Sequence, residues 1–247
     1  MNRTVLASDA AIEVKSPNQV FFCPEESQFY AQCLEKMVLS QSTSADTIIE
    51  FGSGDGSPVI QALLRSAFDG TIQGYELNTD SYQLAKIRIE QYGLTPYYQV
   101  HNTCFFNSSP EKARYLIANP PYLPAPDNQL YMPSLHGGAD GAGITKQLLT
   151  LGCEQVMLMI SAYSNPIDTI DHAKQFGYDV VDFMVTPLRF GYYSSEPKVR
   201  DTITELQRHR QAFFSEKVYF LAGVLFRQKS AATACLADEF LKVMTAL

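Results

Sequence analysis

The chain contains no apolar run long enough to cross a bilayer. Its longest apolar stretches, Val156 to Ile160 and Val218 to Phe226, fall far short of the roughly 20 residues a membrane-spanning helix needs. The amino-terminal region has none either. Arg3, Asp9, Glu13 and Lys15 interrupt it, so no hydrophobic core of a secretory signal is expected, and a cytoplasmic location is. A Cys-x-x-Cys pair is also missing. Cys23, Cys33, Cys104, Cys153 and Cys235 are scattered, with no histidine at zinc-finger spacing. That excludes a zinc module, leaves no metal site to propose, and predicts small, reduced core residues. Positive charge is scarce, with 19 Lys and Arg against 26 Asp and Glu and a formal net charge of −7. This is the wrong sign for a protein that neutralises a phosphate backbone, so a long nucleic-acid footprint is disfavoured. Arg200, Arg208, His209 and Arg210 gather locally and are expected to form a solvated helix face. There is no repeat, heptad run or low-complexity tract.

What is present is an ordinary globular composition, 46% hydrophobic and 18% charged over 247 residues. One domain spanning 1–247 is expected, made of a cap segment 1–42, an insertion 189–217 and a helical tail 231–247. Short apolar runs alternate with amphipathic stretches. Strands are predicted at Thr47 to Phe51, Ile72 to Tyr75, Tyr97 to His101, Tyr115 to Ala118, Gln155 to Ile160, Tyr178 to Val185 and Val218 to Phe226. Helices are predicted at Val59 to Phe68, Thr79 to Tyr92, Thr145 to Gly152 and Ile167 to Phe176, where apolar residues recur three or four apart. Strand, helix, strand connections imply an α/β fold, with a seven-stranded, mostly parallel twisted sheet and helices on both faces. Thr79 and Asn165-Pro166 supply helix-starting chemistry. Pro24 to Leu39 reads as a further helix opened by Glu25 and Glu26, placed to cover one end of the sheet. The insertion carries a helix-like run, Lys198 to Gln211.

Two segments carry chemistry. Glu50-Phe51-Gly52-Ser53-Gly54-Asp55-Gly56 follows a strand and precedes a helix, where a glycine-rich turn lets a nucleotide-bearing ligand approach the backbone. The position of the third glycine in a dinucleotide fingerprint holds Ser57, which turns the reading away from NAD. Glu76 ends the second strand at about the spacing where an acid reaches ribose hydroxyls, with Asn78 beside it. Further on, Tyr115 to Ala118 delivers Asn119-Pro120-Pro121-Tyr122 at the carboxyl edge of the sheet, the edge on which open α/β sheets bind ligands. Two consecutive prolines fix φ and remove backbone donors. The side-chain oxygen of Asn119 and the carbonyl of Pro120 are then suited to accept the two N–H groups of a flat amino group, with Tyr122 packed against it.

These residues resemble the class I S-adenosylmethionine-dependent methyltransferases that carry an Asn-Pro-Pro-Tyr motif. Within that set the chain is similar to the HemK-type protein-glutamine methyltransferases, because His136-Gly137-Gly138-Ala139-Asp140-Gly141 resembles their Gly-Gly-x-Asp-Gly segment. The resemblance covers about residues 20 to 186. It implies a Rossmann-like fold, S-adenosyl-L-methionine as cofactor and transfer of methyl to a planar nitrogen. It also implies Glu50, Gly52, Gly54, Glu76, Asn102 and Asn119 as cofactor-binding residues, Asn102 against the adenine, and Asn119, Pro120 and Tyr122 as catalytic ones. Protein glutamine or a small amide-bearing molecule is the expected acceptor. Adenine in RNA or DNA is the enzymatic alternative, a cofactor-binding scaffold without catalysis a second, and a nicotinamide oxidoreductase a distant last. The resemblance fades at 189–217, and Glu76 stands where many members have Asp.

Overall fold

Seven short apolar runs become seven strands of one sheet: β1 (Thr47–Phe51), β2 (Thr71–Tyr75), β3 (Tyr98–His101), β4 (Tyr115–Ala118), β5 (Gln155–Ser161), β6 (Tyr178–Arg189) and β7 (Val218–Gln228). The computed structural model describes residues 20–108, 113–230 and 234–247, so the first part of the expected cap and three residues of the tail lie outside the described residues. The strand order is β3-β2-β1-β4-β5-β7-β6. The first five strands run parallel, and β7 is antiparallel to both β5 and β6. The order reverses between β1 and β4, and ligands of open α/β sheets bind at such a reversal.

Side chains along the central strands alternate between two cores, as the two-residue period of a strand requires. Ile48, Tyr115, Ile117, Met157 and Met159 enter one core, beside α1 (Pro24–Cys33), α2 (Ser57–Arg65), α3 (Thr79–Gln91) and α6 (Pro197–Arg208). Ile49, Leu116, Ala118, Val156 and Leu158 enter the other, beside α4 (Gly143–Leu149), α5 (Pro166–Gln175) and α7 (Ala237–Met244). All of β5 is buried, and each fully buried Leu, Ile or Met stabilises the fold by about 1.5–3 kcal/mol relative to exposure.

Several expectations shift. The helix from Pro24 lies on a face of the sheet instead of covering its end: Cys33 sits so close to Gly223 of β7 that a Cβ there would meet its sulfur at 2.4 Å. Its last turn, Leu34–Leu39, is π-helical. Asn78, not Thr79, caps α3, accepting from the backbone N–H of Ser81 at 2.8 Å. α2 and α4 each begin two residues earlier than the apolar spacing suggested, because periodicity marks the buried face and not the first turn. β6 runs on to Arg189, paired with the long β7 apart from a bulge at Val181, so the insertion begins as a continuation of the sheet. The cysteines are free, as expected, but among them only Cys33 is buried and Cys235 is exposed. The basic cluster divides: the Arg200 guanidinium lies 3.8 Å from the Phe190 ring centroid and 4.8 Å from that of Phe214, while Arg208 and His209 pair with Glu205.

Candidate active site

Above the reversal between β1 and β4 lies a cavity of about 1040 Å³. Glu50, Gly52, Gly54, Glu76, Asn119, Pro120 and Tyr122 all line it. Residues predicted from three separate sequence segments are therefore brought together at the carboxyl edge of the parallel strands.

The glycine turn forms one wall. Gly52 has φ +69 and Gly54 φ +55, left-handed values that L side chains adopt with strain. A Cβ built on either would meet nothing within 4 Å among the described residues, so the backbone itself faces open space. The turn is held from behind. Gly52 N donates to Tyr75 O at 2.9 Å, Asp55 accepts from Ser57 N at 3.0 Å, and Arg88 ion-pairs with Asp55 while donating to Ser57 Oγ at 2.6 Å.

Three buried carboxylates surround this space. Glu76 accepts Gly54 N and Asn78 N, each at 2.7 Å, and burial raises its pKa. Glu50 accepts the Tyr98 hydroxyl at 2.6 Å and that of Tyr30 at 3.5 Å. Burial pushes it up to about 7, with the Glu76 charge adding to the rise and the hydroxyl donors opposing it. Glu26, on the first turn of α1, is also raised by burial, against hydrogen bonds from Tyr122, Asn119 and Cys23. No cation compensates any of the three among the described residues; exposed Arg189 is the single cationic side chain of the lining. A cavity walled by uncompensated carboxylates suits a cationic ligand, and the open glycine backbone leaves room for it.

The far wall is built around Asn119. Its Nδ2 donates to Glu26 Oε1 at 2.7 Å, and its Oδ1 is a buried acceptor without a partner among the described residues. Buried polar atoms are nearly always paired, so an orphan at a cavity wall points to a ligand donor. The Gly-Gly-rich segment after the motif acts as its buttress. Gly137 N donates to Leu123 O at 2.9 Å and Ala125 N to Gly138 O at 3.1 Å. A Cβ on Gly137 would meet Tyr122 Cα at 2.6 Å, and one on Gly141 would meet Tyr122 O at 2.5 Å. Asp140 pins this segment by accepting from Ala142 N at 3.0 Å, Lys146 Nζ at 3.0 Å and Asn165 Nδ2 at 2.9 Å. Ser164 Oγ holds the Tyr122 carbonyl at 2.7 Å.

Asn102 is placed differently. It is outside the cavity lining, and its Nδ2 is committed to the carbonyls of Glu76 and Leu77 at 2.9 and 3.3 Å. Thr103 to Phe106 form the wall there instead. Spacing alone missed Glu26, Tyr30 and the aromatic wall of Tyr163, Phe190, Tyr192 and Tyr219. Glu26 and Tyr30 stand four residues apart on one helix, a same-face relation legible in the sequence; the aromatic wall carries no comparable signal.

The strand order, with β7 inserted antiparallel between β5 and β6, is the Rossmann-like class I methyltransferase fold. Structures of similar architecture include ribosomal protein L11 methylase from Lactobacillus delbrueckii subsp. bulgaricus, with a TM-score of 0.53 at 12% identity, covering 87% of this chain and 83% of that one. A Pyrococcus horikoshii protein assigned as an RNA methyltransferase has a TM-score of 0.54 at 10% identity, covering 84% and 83%. The [4+2]-cyclase SpnF has a TM-score of 0.52 at 9% identity, covering 88% and 86%, so the fold leaves the chemistry to the site. In sequence the chain is similar to the ribosomal protein uL3 glutamine methyltransferase of Neisseria gonorrhoeae, 30% identical over 109 residues, and to that of Neisseria meningitidis serogroup A, 28% identical. Those residues cover 41% of this chain and 36% of each relative, so the chain spans about a third of the length of the curated relatives it matches. No family model matches the chain.

Proposed function

We propose that this protein is an S-adenosylmethionine-dependent methyltransferase whose acceptor is a planar amide nitrogen, the side chain of a protein glutamine. The carrying observation is the unpartnered Oδ1 of Asn119, in the same cavity as the open glycine turn and the uncompensated acids. Gly52 and Gly54 would hold the cofactor through their backbone, Glu76 its ribose hydroxyls and Glu50 its cationic amino-acid end. When bound, that cofactor supplies an electrophilic methyl group.

An amide nitrogen is a weak nucleophile because its lone pair is delocalised, so orientation outweighs proton removal. Asn119 Oδ1 and the carbonyl of Pro120 would accept the two N–H groups and fix the plane of the amide. Tyr122, Tyr163 and Tyr219 would pack around it and exclude water. Holding reactants in line accounts for roughly 7–11 kcal/mol of barrier reduction in favourable cases. Similarity to glutamine methyltransferases over the aligned residues and the net negative charge both favour a protein acceptor over nucleic acid. We further propose a soluble, cytoplasmic setting and one domain across 1–247; no helix among the described residues is long and apolar enough to cross a membrane.

The test is to incubate the protein with methyl-labelled S-adenosylmethionine and cell extract, separate protein, nucleic acid and small molecules, and locate the label by mass spectrometry. Label on a glutamine side chain is expected; label confined to nucleic acid would replace this reading with adenine methylation.

A further inference from the structure

We infer that Glu26 is the positioning residue that sets the polarity of Asn119, forcing its amide oxygen toward the methyl acceptor. This inference rests on the reading of Asn119 given above and adds a residue to it.

A primary amide can sit in one plane in two ways, with oxygen and nitrogen exchanged, and packing hardly distinguishes them because the two ends are nearly isosteric. Chemistry does. An ionised carboxylate offers acceptors only, so the end of Asn119 that meets Glu26 must be the NH2, as the 2.7 Å contact from Nδ2 to Oε1 has it. The oxygen is thereby turned away from Glu26 and left as the buried, unpartnered acceptor at the cavity wall. An exchanged amide would present N–H donors to a substrate that itself donates N–H, and would repel it.

The surroundings of Glu26 suit this task. It is buried on the first turn of α1, and α1 is seated on β7 through Cys33 and Gly223. Facing it are Cys23 from its own segment, Tyr122 and Asn119 from the β4 loop, Tyr163 after β5 and Tyr219 on β7. Each is neutral near pH 7: burial lifts the Cys23 thiol to about 11 and holds the three phenols above their ordinary range. Glu26, raised by burial above the ordinary carboxylate range, is therefore the group of this cluster that loses its charge as pH falls. Protonated, it would donate an O–H and accept through its carbonyl, so it would tolerate either amide orientation and the enforced polarity would be lost. Methyl transfer should accordingly fail as pH falls through the raised pKa of Glu26.

Two readouts test this. The first needs no acceptor: the side-chain NH2 resonances of Asn119, identified by their absence in Asn119→Ala, are followed by nitrogen-15 NMR over a pH series. In the native protein they should titrate above the ordinary carboxylate range; in Glu26→Gln, an isosteric change, that titration should vanish. The second is the initial rate of label transfer into extract protein at S-adenosylmethionine concentrations that saturate the site across the pH series. Glu26→Gln should lower it roughly tenfold or more and remove its acid limb, with S-adenosylhomocysteine affinity and thermal midpoint nearly unchanged. Glu26→Asp, which keeps the charge, should retain the acid limb and recover part of the rate. Asn119 resonances indifferent to pH, or titrating identically in Glu26→Gln, would overturn the inference, as would an undiminished Glu26→Gln rate. Should the native protein label nothing, methyl transfer is the reading that fails, and the Asn119 titration still decides the Glu26 contact.

Discussion

The hydroxyl of Tyr98 on β3 reaches Glu50 Oε2 on β1 at 2.6 Å by crossing the strand between them, β2. Gly74 makes the crossing possible. A Cβ at that position would come within 3.2 Å of Glu50 Oε2 and 3.1 Å of the Tyr98 ring, so a glycine in mid-strand, ordinarily a weakness, here opens a passage for a buried hydrogen bond.

That bond leads to a pH prediction. Glu50 is raised from an ordinary 4.5 to about 7, so between those values the folded protein holds a proton that the unfolded chain has released. Its contribution to stability should therefore decline as pH rises from about 4.5 to about 7. Cofactor affinity should move oppositely, tightening from pH 6 to pH 8 because the cationic ligand needs the ionised carboxylate. Calorimetry in buffers of different ionisation enthalpy should detect proton release on binding below pH 7, and Tyr98→Phe should move the transition upward. Affinity independent of pH would remove Glu50 from the cofactor site.

Gly54 and Gly93 make a matched pair. Both have positive φ, +55 and +66, and both have nothing within 4 Å of a built Cβ, yet only Gly54 lines the cavity. Each glycine-to-alanine change should cost about 1–2 kcal/mol in backbone strain, read by denaturant unfolding. Only Gly54→Ala should also weaken S-adenosylhomocysteine binding, by roughly tenfold or more, since its methyl would occupy ligand space. Equal affinities would show that the turn is structural.

Asn119→Ala should abolish methyl transfer while leaving cofactor affinity within a few-fold, because the acceptor oxygen is lost and the glycine turn is untouched. It also strips a hydrogen bond from buried Glu26, a loss of about 1–3 kcal/mol in stability. Single-turnover kinetics beside calorimetry separate the two effects, and wild-type turnover in this variant would dismiss Asn119 from the site.

Tyr192 marks the mouth of the cavity. It is 66% exposed and its ring centroid lies 5.2 Å from that of Tyr131, joining the insertion to the loop after the Asn119 motif. A second tie reinforces the first, from Tyr131 N to buried Glu196 at 2.8 Å. Tyr192→Ala should raise KM for the protein acceptor by about two- to tenfold, in line with the worth of an aromatic contact, with kcat, cofactor affinity and thermal midpoint little changed. An unaltered KM would mean that the acceptor approaches from elsewhere.

Legibility in the sequence followed the range of the interaction responsible. The strands were readable because their side chains must alternate or bury together, and the glycine turn because only glycine tolerates such backbone angles cheaply. Asn119 to Tyr122 was readable because two prolines stiffen the chain locally. The resemblance implies Asn102 against the adenine, whereas its amide donates to the carbonyls of Glu76 and Leu77, a preference decided by how β2 ends beside it. Glu26 was legible as a helix-start acid and invisible as a site residue.

By itself, then, the amino-acid order determined which segments become strands and helices, where the chain turns on glycine, and which short motifs follow directly on a strand's carboxyl end. Each of these follows from local sterics or from a period of two or 3.6 residues. Only the tertiary structure decided that Glu26 would face Asn119 across 93 positions, that Tyr98 would pass Gly74 to reach Glu50, and that residues 190–193 would wall the acceptor end. Those contacts depend on strand order and on the seating of α1 against β7, arrangements that no local spacing encodes.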